Sequence, residues 1–417
     1  MTAIETEILI VGGGAAGLSA ALAASAERNA RITLTDDNPL LGGQLWRAEL
    51  GKIRSPKARE LIEKVRSKRI NIINNTRIWG KDGPSGLLAD SPNGPLYFDF
   101  DHLILATGAR ERFLPFPGWT LPGVFGAGGL QAMVKGGFSV AGKRVVVSGT
   151  GPLLLAVAAS LKNKGAKIVL IAEQASSAKI AAFALGLWLS PSKAAGAAAL
   201  RSKLLGIPYW TDSWVTSAAR SSNSNDIGSV TVSRKGKTSE IKCDLLAFGF
   251  HLVPNVELAA LLGCKLEGSF VQVDDFQRTS CENIYCAGEP TGIGGVEAAR
   301  VEGEIAGLNA AGMSDRAKPW FGRRNKTGKF AKQLERAFVL RPELKAMAED
   351  DTIVCRCEDV RYGQLKQHGS WRSAKLQTRC GMGACQGRVC SAATEFLFGW
   401  KIDSMRPPLY PVNLENL

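Results

Sequence analysis

Hydrophobic residues in the first half of the chain occur in short continuous runs separated by helical stretches. The run Glu7–Val11 leads through a glycine-rich turn into an alanine-rich helix that is expected to end near Asn29, and a second run follows at Ile32–Thr35. Apolar runs of this length indicate strands buried on both faces, and their alternation with helices indicates βαβ units around a parallel sheet. The pattern predicts an α/β fold.

The turn after the first strand carries three glycines with the spacing of a dinucleotide-binding loop. Gly12 makes the turn, Gly14 lets the backbone approach a pyrophosphate, and Gly17 lets the helix approach the strand. The second strand ends at Asp36 and Asp37, and Asp36 lies 19 residues after the third glycine, where a carboxylate can bind ribose hydroxyls. Strand, loop, helix and acid together predict a dinucleotide site at a helix N-terminus.

A second βαβ unit lies in the middle of the chain. The predicted strand Lys143–Ser148 runs into the turn Gly149–Leu154, and the next strand, Lys167–Ile171, is followed closely by Glu173. Leu154 occupies the third glycine position, where it holds the helix off the strand or fills space that a cofactor would use. Glu173 would suit a ribose and disfavour a 2′-phosphate. The pattern therefore leaves open whether this unit binds an adenine nucleotide.

Five of the nine cysteines fall near the C-terminus, within 36 residues. They occur as Cys355-Arg-Cys357 and as Cys380-Gly-Met-Gly-Ala-Cys385-Gln-Gly-Arg-Val-Cys390. In a reducing compartment such clustering indicates a metal or cluster more often than disulfides, and the glycines let backbone N–H groups approach thiolates. Structural zinc normally uses C-x2-4-C pairs, which C-x-C fits poorly. The pattern favours an iron–sulfur centre, with zinc as the alternative.

Length and charge refine this picture. The chain of 417 residues suffices for two or three domains. It shows no secretory signal and no apolar run near the ~20 residues that span a bilayer, so we expect a cytoplasmic protein without a transmembrane segment. Over half of the net charge of +14 lies in residues 316–345, which hold ten Lys/Arg and two acids. Without an aromatic platform or a helix-turn-helix pattern, this segment predicts a solvated linker or a contact with an acidic partner rather than nucleic-acid binding.

Residues 180–200 are rich in alanine, glycine and leucine. This composition is typical of a helix packed in the interior, which is slightly favoured here, or of an exposed helix at a subunit contact.

The three histidines are scattered at His102, His251 and His368. None is accompanied by a serine, cysteine or carboxylate in a pattern typical of acid–base or nucleophilic catalysis. No catalytic residue is assigned, and His251 is expected to be structural.

Three further motifs extend the first βαβ unit. Gly42-Gly43-Gln44 follows the second strand, Ala106-Thr107-Gly108 ends a later strand, and Gly288-Glu289 precedes a helix expected at Val296–Ala311. In this order the motifs resemble the two-dinucleotide-binding-domain flavoproteins of the glutathione/thioredoxin reductase-like superfamily, over roughly residues 5–312. The resemblance implies bound FAD, although Glu289 stands where these flavoproteins usually have Asp. The residues it places at FAD are Gly12, Gly14, Ala15, Ala16, Gly17, Asp36, Asp37, Gly43, Gln44, Ala106, Thr107, Gly108, Gly288 and Glu289.

The C-terminal cysteine pattern narrows the resemblance. Together with the flavoprotein motifs it is similar to the alpha (A) subunits of heteromeric amino-acid-oxidising flavoenzymes: opine (octopine or nopaline) oxidases, hydrogen cyanide synthase, hydroxyproline dehydrogenase and heterotetrameric sarcosine oxidase. Their C-terminal module resembles the bacterioferritin-associated-ferredoxin-like [2Fe-2S] domain. The ligands implied here are Cys355, Cys357, Cys385 and Cys390. Cys380 is an extra thiol, and its own C-x4-C relation to Cys385 leaves the fourth ligand open between Cys380 and Cys390.

The resemblance implies an α/β architecture with two Rossmann-like, FAD/NAD(P)-binding domains and a small, mostly helical C-terminal [2Fe-2S] domain. The expected boundaries are 1–115 with 268–315 for the FAD-binding domain and 116–267 for the inserted NAD-like domain. A basic linker is expected at 316–345 and the cluster domain at 346–417.

The function that the resemblance implies is electron transfer. The chain would be the alpha subunit of an enzyme that oxidatively cleaves the C–N bond of an opine or related secondary amine. The substrate would be oxidised in a D-amino-acid-oxidase-like beta subunit, with FMN at the interface between the two proteins. The presence of a small gamma subunit, the electron acceptor and membrane association through partners stay open. The alternatives are a self-sufficient NADH-dependent flavin/[2Fe-2S] reductase, the alpha subunit of hydrogen cyanide synthase or hydroxyproline dehydrogenase, and a non-catalytic scaffold.

Overall fold

The N-terminal strand, glycine turn and helix form in the predicted order in a computed structural model of the protein. The structure describes residues 1–26, 30–187, 191–402 and 404–416. The predicted helix end near Asn29 lies outside these residues. The first 111 residues form β1 (Thr2–Val11), α1 (Ala15–Ala24), β2 (Ile32–Thr35), α2 (Pro56–Arg66), β3 (Ile70–Ile73), β4 (Arg77–Asp82), β5 (Gly86–Ser91), β6 (Gly94–Leu105) and β7 (Ala109–Glu111).

The second βαβ unit also forms as the sequence predicts, within a longer run of elements. These are β8 (Val124–Gly126), α3 (Ala127–Lys135), β9 (Arg144–Thr150), α4 (Leu153–Asn163), β10 (Lys167–Glu173), α5 (Ser177–Gly186), α6 (Pro191–Lys203), β11 (Tyr209–Trp210), β12 (Ser213–Arg220), β13 (Ile227–Arg234), β14 (Lys237–Lys242), β15 (Leu245–Phe250) and β16 (Leu252–Pro254).

The chain then returns to flavoprotein-like elements, including the predicted late helix, here α8. The elements are α7 (Glu257–Leu261), β17 (Leu266–Glu267), β18 (Phe270–Val271), β19 (Ile284–Cys286), α8 (Gly295–Ala310), α9 (Ser314–Ala317), a 3-10 turn (Lys318–Trp320) and α10 (Phe321–Ala337).

The C-terminal part is built from short elements that carry the cysteines. They are a 3-10 turn (Pro342–Met347), β20 (Ile353–Cys355), β21 (Val360–Arg361), α11 (Tyr362–Leu365), α12 (Trp371–Thr378), α13 (Cys390–Phe398) and a 3-10 turn (Leu414–Asn416).

Two structural units share these elements. Unit 1 contains Met1–Arg110, Val253–Ala331 and Ser404–Leu417, and unit 2 contains Glu111–Leu252 and Lys332–Asp403. The whole cysteine segment, 355–390, therefore lies in unit 2 with the second βαβ unit, whereas residues 404–417 belong to unit 1. There the backbone N–H of Leu409 donates to the carbonyl of Trp79 over 2.7 Å.

The core of unit 1 is a seven-stranded sheet in the order β3-β2-β1-β6-β5-β4, with β19 also paired to β6. Strands β3, β2, β1, β6 and β19 are parallel, which suits their nearly continuous apolar sequences. Helix α8 packs closely on α1 because it presents glycines at the contact. A Cβ on Gly303 would lie 2.1 Å from the carbonyl oxygen of Ala16, and one on Gly307 would lie 2.2 Å from that of Ala20.

Unit 2 contains a parallel five-stranded sheet in the order β11-β10-β9-β15-β8 and an antiparallel sheet of β12, β13 and β14. Strands β20 and β21 form a small antiparallel pair that ends at Cys355. The carboxyl ends of β9, β10 and β15 lie at one edge of the five-stranded sheet, where α/β folds bind their ligands.

Two surface segments differ from a simple expectation. Helix α5 has no buried residue, and Leu185 on it is 78% exposed, so the buried packing favoured for residues 180–200 is wrong for this helix. Residues 188–190 of that stretch lie outside the described residues. The basic segment 316–345, expected to be a linker, is largely helical. Within the described residues, no helix combines the length and apolar composition needed to cross a membrane.

Candidate functional site

The first glycine turn in unit 1 has the close packing that its sequence predicts. Gly12 has φ +113°, and a Cβ there would lie 2.2 Å from the carbonyl oxygen of Ala106. A Cβ on Gly17 would lie 1.8 Å from the carbonyl oxygen of Gly12, so only glycine lets α1 approach β1 this closely. The free N–H groups at the start of α1, at Ala15 and Ala16, are those that bind a phosphate in folds of this kind.

Gly14 faces open space on one side of this turn. A Cβ on Gly14 would have a single neighbour within 4 Å, the Cα of Gly43 at 3.9 Å. The predicted loop Gly42–Gln44 is held in place by a hydrogen bond from the N–H of Gly42 to the carbonyl of Gly13 (2.9 Å), and Gln44 is exposed. Gly14 and Gly43 thus meet where a pyrophosphate would pass, and neither has a side chain that would obstruct it.

The two acids after β2 have different surroundings. Asp36 is buried, and its carboxylate accepts hydrogen bonds from the N–H of Gly13 and from the backbone and side-chain N–H of Asn38, at 2.8 and 2.9 Å. Asp37 is exposed and accepts from the Asn38 side chain over 2.7 Å. Asp36 therefore shapes the glycine loop, and Asp37 is the carboxylate more open to a ribose.

Asn255, which the sequence did not single out, fixes the turn at Ala106-Thr107-Gly108. The Thr107 hydroxyl donates to the Asn255 carbonyl over 2.6 Å, and the Asn255 side chain donates back to the Thr107 carbonyl over 2.9 Å. Gly108 has φ +70°, and its carbonyl accepts from the N–H of Asn255. In the sequence, Pro254-Asn255 could be recognised only as a polar turn, and that pattern does not reveal that Asn255 binds Thr107.

The turn at Gly288-Glu289 depends on a half-buried acid, Glu302, that could not be recognised from the sequence. Glu302, on α8, accepts from the N–H of Gly288 and from the Thr291 hydroxyl, both over 2.8 Å. Burial raises the pKa of Glu302 to about 7 and that of Glu289 to about 7. The side chain of Glu289 receives one hydrogen bond, from the N–H of Gly295 to Oε1.

Glu289 Oε2 provides a test of whether a dinucleotide cofactor fits unit 1. This atom is buried and has no hydrogen-bond partner among the described residues. Burying an unpaired carboxylate oxygen is costly, so the position suits a hydroxyl donor supplied by a ligand. With the open glycine turn, this orphaned acceptor fits a flavin dinucleotide.

The corresponding acid of unit 2 is not available to a ligand. Glu173 is fully buried, and its carboxylate accepts from the N–H of Gly151 at 2.7 Å, from the Thr150 hydroxyl at 2.9 Å and from the N–H of Ala175 at 2.8 Å. Burial raises its pKa to about 7. The ribose contact anticipated for Glu173 is therefore not available in this arrangement.

The chain's own Phe338 fills the edge of the unit 2 sheet. Its ring lies 4.0 Å from where a Cβ on Gly151 would be, and its carbonyl accepts from His251 Nε2 over 2.5 Å. Gln174 adds bonds from its side-chain N–H to the carbonyls of Phe338 and Val339, at 3.5 and 3.3 Å. Gly151, Gln174 and His251 follow the carboxyl ends of β9, β10 and β15. Phe338 and its carbonyl thus lie against the Gly151 turn, where a nicotinamide nucleotide would approach this unit.

His251 and Leu154 have structural roles here. His251 binds the Phe338 carbonyl, and burial lowers the pKa of its imidazole. Leu154 is 1% exposed and packs in the core of the five-stranded sheet.

Three of the five C-terminal cysteines form one buried group. The sulfur atoms of Cys355, Cys380 and Cys390 all lie within 4.8 Å of one another. Thiol donors from Cys380 and Cys390, with the backbone N–H groups of Gly381 and Glu358, lower the pKa of Cys355 far below its usual value. Sulfur atoms that share negative charge in this way suit a thiolate-bound metal centre.

The other two cysteines form a pair in the same segment. The backbone N–H of Cys385 lowers the pKa of the Cys357 thiol, whereas burial and the Cys385 thiol raise it, so the two residues lie close together. A Cβ on Gly383 would lie 2.3 Å from the Cβ of Cys357, so this glycine is needed for the loops to meet. The structure thus gathers Cys355 with Cys390 and Cys357 with Cys385, and adds Cys380 to the first group. The four-ligand assignment stays a prediction.

Arg379 and Trp371 hold the two cysteine loops together. Arg379, which ends α12 with φ +66°, donates to Glu358 over 2.8 Å. A Cβ on Gly381 would lie 2.6 Å from the indole of Trp371, and one on Gly387 would lie 3.3 Å from it, so Trp371 packs against the loop that carries Cys380 and Cys385. The sequence marked these glycines as places where backbone could approach sulfur, and Trp371 is an additional reason for them.

The cysteine segment is also anchored within unit 2. The indole N–H of Trp119 donates to the carbonyl of Ile353 over 2.6 Å, and the guanidinium of Arg356 lies 5.3 Å from the centre of the Trp119 ring. The cysteine site is therefore continuous with the rest of that unit.

The parallel sheets and the glycine turn of unit 1 define an α/β protein of the dinucleotide-binding class. A family model described as pyridine nucleotide-disulphide oxidoreductase matches residues 6–303. The chain belongs to the pyridine nucleotide-disulphide oxidoreductase family. This confirms the predicted α/β fold of Rossmann-like domains and the oxidoreductase class, and it supports FAD in unit 1.

Curated relatives confirm the resemblance to the alpha (A) subunits of opine oxidases and to hydrogen cyanide synthase. The HcnB subunit of hydrogen cyanide synthase from Pseudomonas aeruginosa is 31% identical, over 92% of this chain and 90% of its own length. The A subunit of an opine oxidase from Rhizobium meliloti is 29% identical, over 99% of this chain and 87% of its own length. The alpha subunit of sarcosine oxidase from Corynebacterium sp. is 27% identical over 40% of this chain and 19% of its own length.

Solved structures share the fold. L-proline dehydrogenase from P. horikoshii has a TM-score of 0.67 at 21% identity, covering all of this chain and 80% of that one. Thioredoxin reductase from T. acidophilum has a TM-score of 0.57 at 21% identity, covering 75% of this chain and 99% of that one. At these identities the likeness concerns the fold alone.

Proposed function

We propose that this chain is the electron-transfer alpha subunit of a heteromeric flavoprotein oxidase or dehydrogenase. The electron donor is an opine or related secondary amine. Its C–N bond is oxidised in a D-amino-acid-oxidase-like beta subunit. There the amine loses a hydride from Cα and a proton from nitrogen, and water hydrolyses the resulting imine. The electrons pass to this chain and leave it for an acceptor. The names of the relatives, which include an opine oxidase, support such a division of labour.

The observation that carries the proposal is the occupied crevice of unit 2. Phe338 covers the Gly151 turn, and Glu173 is committed to hydrogen bonds within the protein. A reductase that takes electrons from NADH needs this crevice for its nicotinamide nucleotide. The covered turn supports a route in which electrons enter this protein from a partner protein instead.

The residues of this chain provide two places for redox groups. The glycine turn, Asp37, the Thr107 turn and Glu289 would hold and orient FAD. Cys355, Cys357, Cys385 and Cys390 would hold a [2Fe-2S] cluster, and an FMN would lie against the partner. When bound, a flavin accepts two electrons together and a [2Fe-2S] cluster accepts one at a time. The protein contributes position, hydrogen bonds and exclusion of water.

Hydrogen cyanide synthase is the second candidate. The specific observation in its favour is the HcnB relative, which is 31% identical and matches 90% of its own length. In that case the partner would oxidise glycine, and the role of this chain would be unchanged.

Co-expression with the protein encoded beside it tests the proposal. The complex is purified anaerobically and mixed in turn with octopine, nopaline, hydroxyproline, glycine and NADH. The flavin absorbance band at ~450 nm is followed in each mixture. We expect bleaching by one amine donor and none by NADH. Bleaching by glycine with release of cyanide selects the second candidate.

The isolated chain serves as the control. NADH should not bleach its flavin, and amine donors should act only when the partner is present. Rapid bleaching of the isolated chain by NADH would establish the self-sufficient reductase instead. A complex that no amine reduces would refute the amine-oxidising role.

A further inference from the structure

The last residues of the chain, 404–416, run along an outer strand of the unit 1 sheet, and we call them the C-terminal tail. Strand β4 ends the strand order β3-β2-β1-β6-β5-β4. The N–H of Leu409 donates to the carbonyl of Trp79 on β4 over 2.7 Å, and a Cβ on Gly80 would lie 3.6 Å from the Cβ of Pro407. An edge strand presents backbone groups that lack a neighbouring strand, and the C-terminal tail covers this edge.

Two further contacts fix the C-terminal tail in place. Leu409 is buried in the apolar core around Phe98, and Tyr410 packs partly buried against the same core. Nearer the end of the chain, the side-chain N–H of Asn416 donates to the carboxylate of Asp90 on β5. The C-terminal tail is therefore held on the sheet by apolar burial and by hydrogen bonds to both β4 and β5.

Tyr410 lies against a cation that also faces the acid placed at the ribose. The guanidinium carbon of Arg77 lies 4.9 Å from the centre of the Tyr410 ring, which is within the range of a cation–π contact. Nε of the same Arg77 lies 4.0 Å from Oδ2 of Asp37. One side chain thus connects the C-terminal tail to the exposed carboxylate of the glycine-turn site.

The loop that carries this carboxylate is tied to the start of β4 through the backbone. The N–H of Asn75 donates to the carbonyl of Asn38 over 3.2 Å, and the N–H of Thr76 donates to the carbonyl of Asp36 over 2.9 Å. Arg77 follows directly. The segment that receives the C-terminal tail is therefore the same segment that supports the acid loop.

Arg77 favours the charged form of Asp37. Partial burial and the neighbouring Asp36 raise the pKa of Asp37, and Arg77 and Arg47 lower it. An ionised carboxylate only accepts hydrogen bonds, so it suits the two hydroxyl donors of a ribose. The side chains of Arg77 and Asp37 are 49% and 47% exposed, and an exposed pair of this kind is weak when both partners move freely. The Tyr410 ring strengthens the pair because it restricts the guanidinium.

We propose that Tyr410 is a positioning residue for the cofactor of unit 1: its ring holds Arg77 beside Asp37, so a segment from the far end of the chain fixes the carboxylate that would bind the ribose. This inference rests on the FAD assigned under the proposed function. It does not depend on amine oxidation, because FAD binding is measured without an electron donor.

Variants of the full chain test the role of the ring. Tyr410→Leu removes the aromatic face and keeps an apolar side chain at the core, whereas Tyr410→Phe keeps the ring. Leu414→Ala is the control in the same tail, at a position that is 88% exposed. Tyr410→Leu is also made in an Asp37→Asn background. FAD is removed from each protein and titrated back, and its dissociation constant is measured from flavin fluorescence.

Tyr410→Leu should weaken FAD binding about threefold, the loss expected from one exposed cation–π contact. Tyr410→Phe and Leu414→Ala should bind FAD as wild type does. In the Asp37→Asn background, Tyr410→Leu should have no further effect, because the carboxylate that Arg77 positions is gone. If Tyr410→Leu does not fold, Arg77→Gln tests the same link from its other end and should weaken FAD binding at least as much.

Other results overturn the inference in different ways. Wild-type affinity in folded Tyr410→Leu would show that the ring does not position the cofactor. An equal loss with and without the Asp37 carboxylate would make Tyr410 a packing residue of the sheet edge. A loss in Tyr410→Phe as large as that in Tyr410→Leu would assign the effect to the hydroxyl rather than to the ring. A wild-type chain that binds no FAD would overturn the cofactor assignment and this inference with it.

Discussion

The ring of Phe338 lies 4.0 Å from the position that a Cβ on Gly151 would occupy. Phe338 is 4% exposed, so Phe338→Ala should leave a cavity over the Gly151 turn and lower the free energy of unfolding by about 3 kcal/mol. Chemical unfolding followed by tryptophan fluorescence measures this. Leu185→Ala, at an exposed position on α5, is the control and should change stability by less than about 0.5 kcal/mol. Equal effects of the two changes would mean that Phe338 is not packed in this crevice.

Gly14→Ala should separate cofactor binding from folding. The backbone of Gly14 is extended at φ −79°, and a Cβ there meets only Gly43, so the apo protein should keep its stability. The added methyl group lies where the pyrophosphate would pass, so FAD content should fall at least about tenfold, or about 1.4 kcal/mol in affinity. Flavin released per chain on denaturation is the measurement.

Gly17→Ala and Gly196→Ala are the two controls for Gly14→Ala. A Cβ on Gly17 would lie 1.8 Å from the Gly12 carbonyl, so this change should reduce both stability and FAD content. Gly196, on α6, has no atom within 4 Å of a Cβ and should tolerate alanine. Normal FAD content in Gly14→Ala would contradict the assigned pyrophosphate position.

Glu173 should make the protein less stable as the pH rises. Burial raises its pKa from the usual 4.5 to about 7, so between these values the folded state binds more protons than the unfolded state. Its stabilising contribution is complete below pH 4.5 and is lost as the pH rises through about 7. Glu173→Gln should therefore reduce the decline in unfolding free energy over this window by about 3 kcal/mol.

Urea unfolding measures this difference. It is carried out at several pH values from 4.5, the usual pKa, to about one pH unit above the raised pKa of about 7. Glu240→Gln, on the exposed part of β14, should keep the wild-type pH profile. If Glu173→Gln declines as steeply as wild type, the buried carboxyl is not the group responsible.

Serine substitutions should identify the fourth cluster ligand. We expect Cys390→Ser to lose the iron and Cys380→Ser to retain it, because the C-x4-C spacing from Cys385 to Cys390 is the one that the resemblance implies. Iron analysis and the visible spectrum of anaerobically purified protein report this. Iron retained in Cys390→Ser and lost in Cys380→Ser would make Cys380, rather than Cys390, the fourth ligand.

The strands, glycine turns and late helix could be predicted because each depends on local sequence. The glycine turn at Gly12 needs a positive φ, and the buried strand Ile32–Thr35 needs continuous apolar residues, so both have a local signature. The exposure of α5 could not be predicted in this way, since an alanine-rich helix has the same composition whether it is buried or exposed.

The occupation of the second crevice could not be predicted, because it depends on residues far apart in the chain. Gln174 and Phe338 are separated by 164 positions, and neither belongs to a recognisable motif. Leu154 was the one local sign that the nucleotide site was altered. Likewise, C-x-C and C-x4-C spacings located the cysteine site, but the pairing of Arg379 with Glu358 required the folded structure.

The division of the chain between its two units has a consequence for biosynthesis. Unit 1 needs residues from Met1 to the C-terminal tail, and unit 2 needs residues up to about position 403. Domains generally fold as units while the ribosome synthesises the chain from its N-terminus. Neither unit of this protein is complete until the ribosome has synthesised the chain to at least position 403. A nascent chain that stalls before Leu409 would therefore present Trp79 without its hydrogen-bonding segment to the chaperones that receive it.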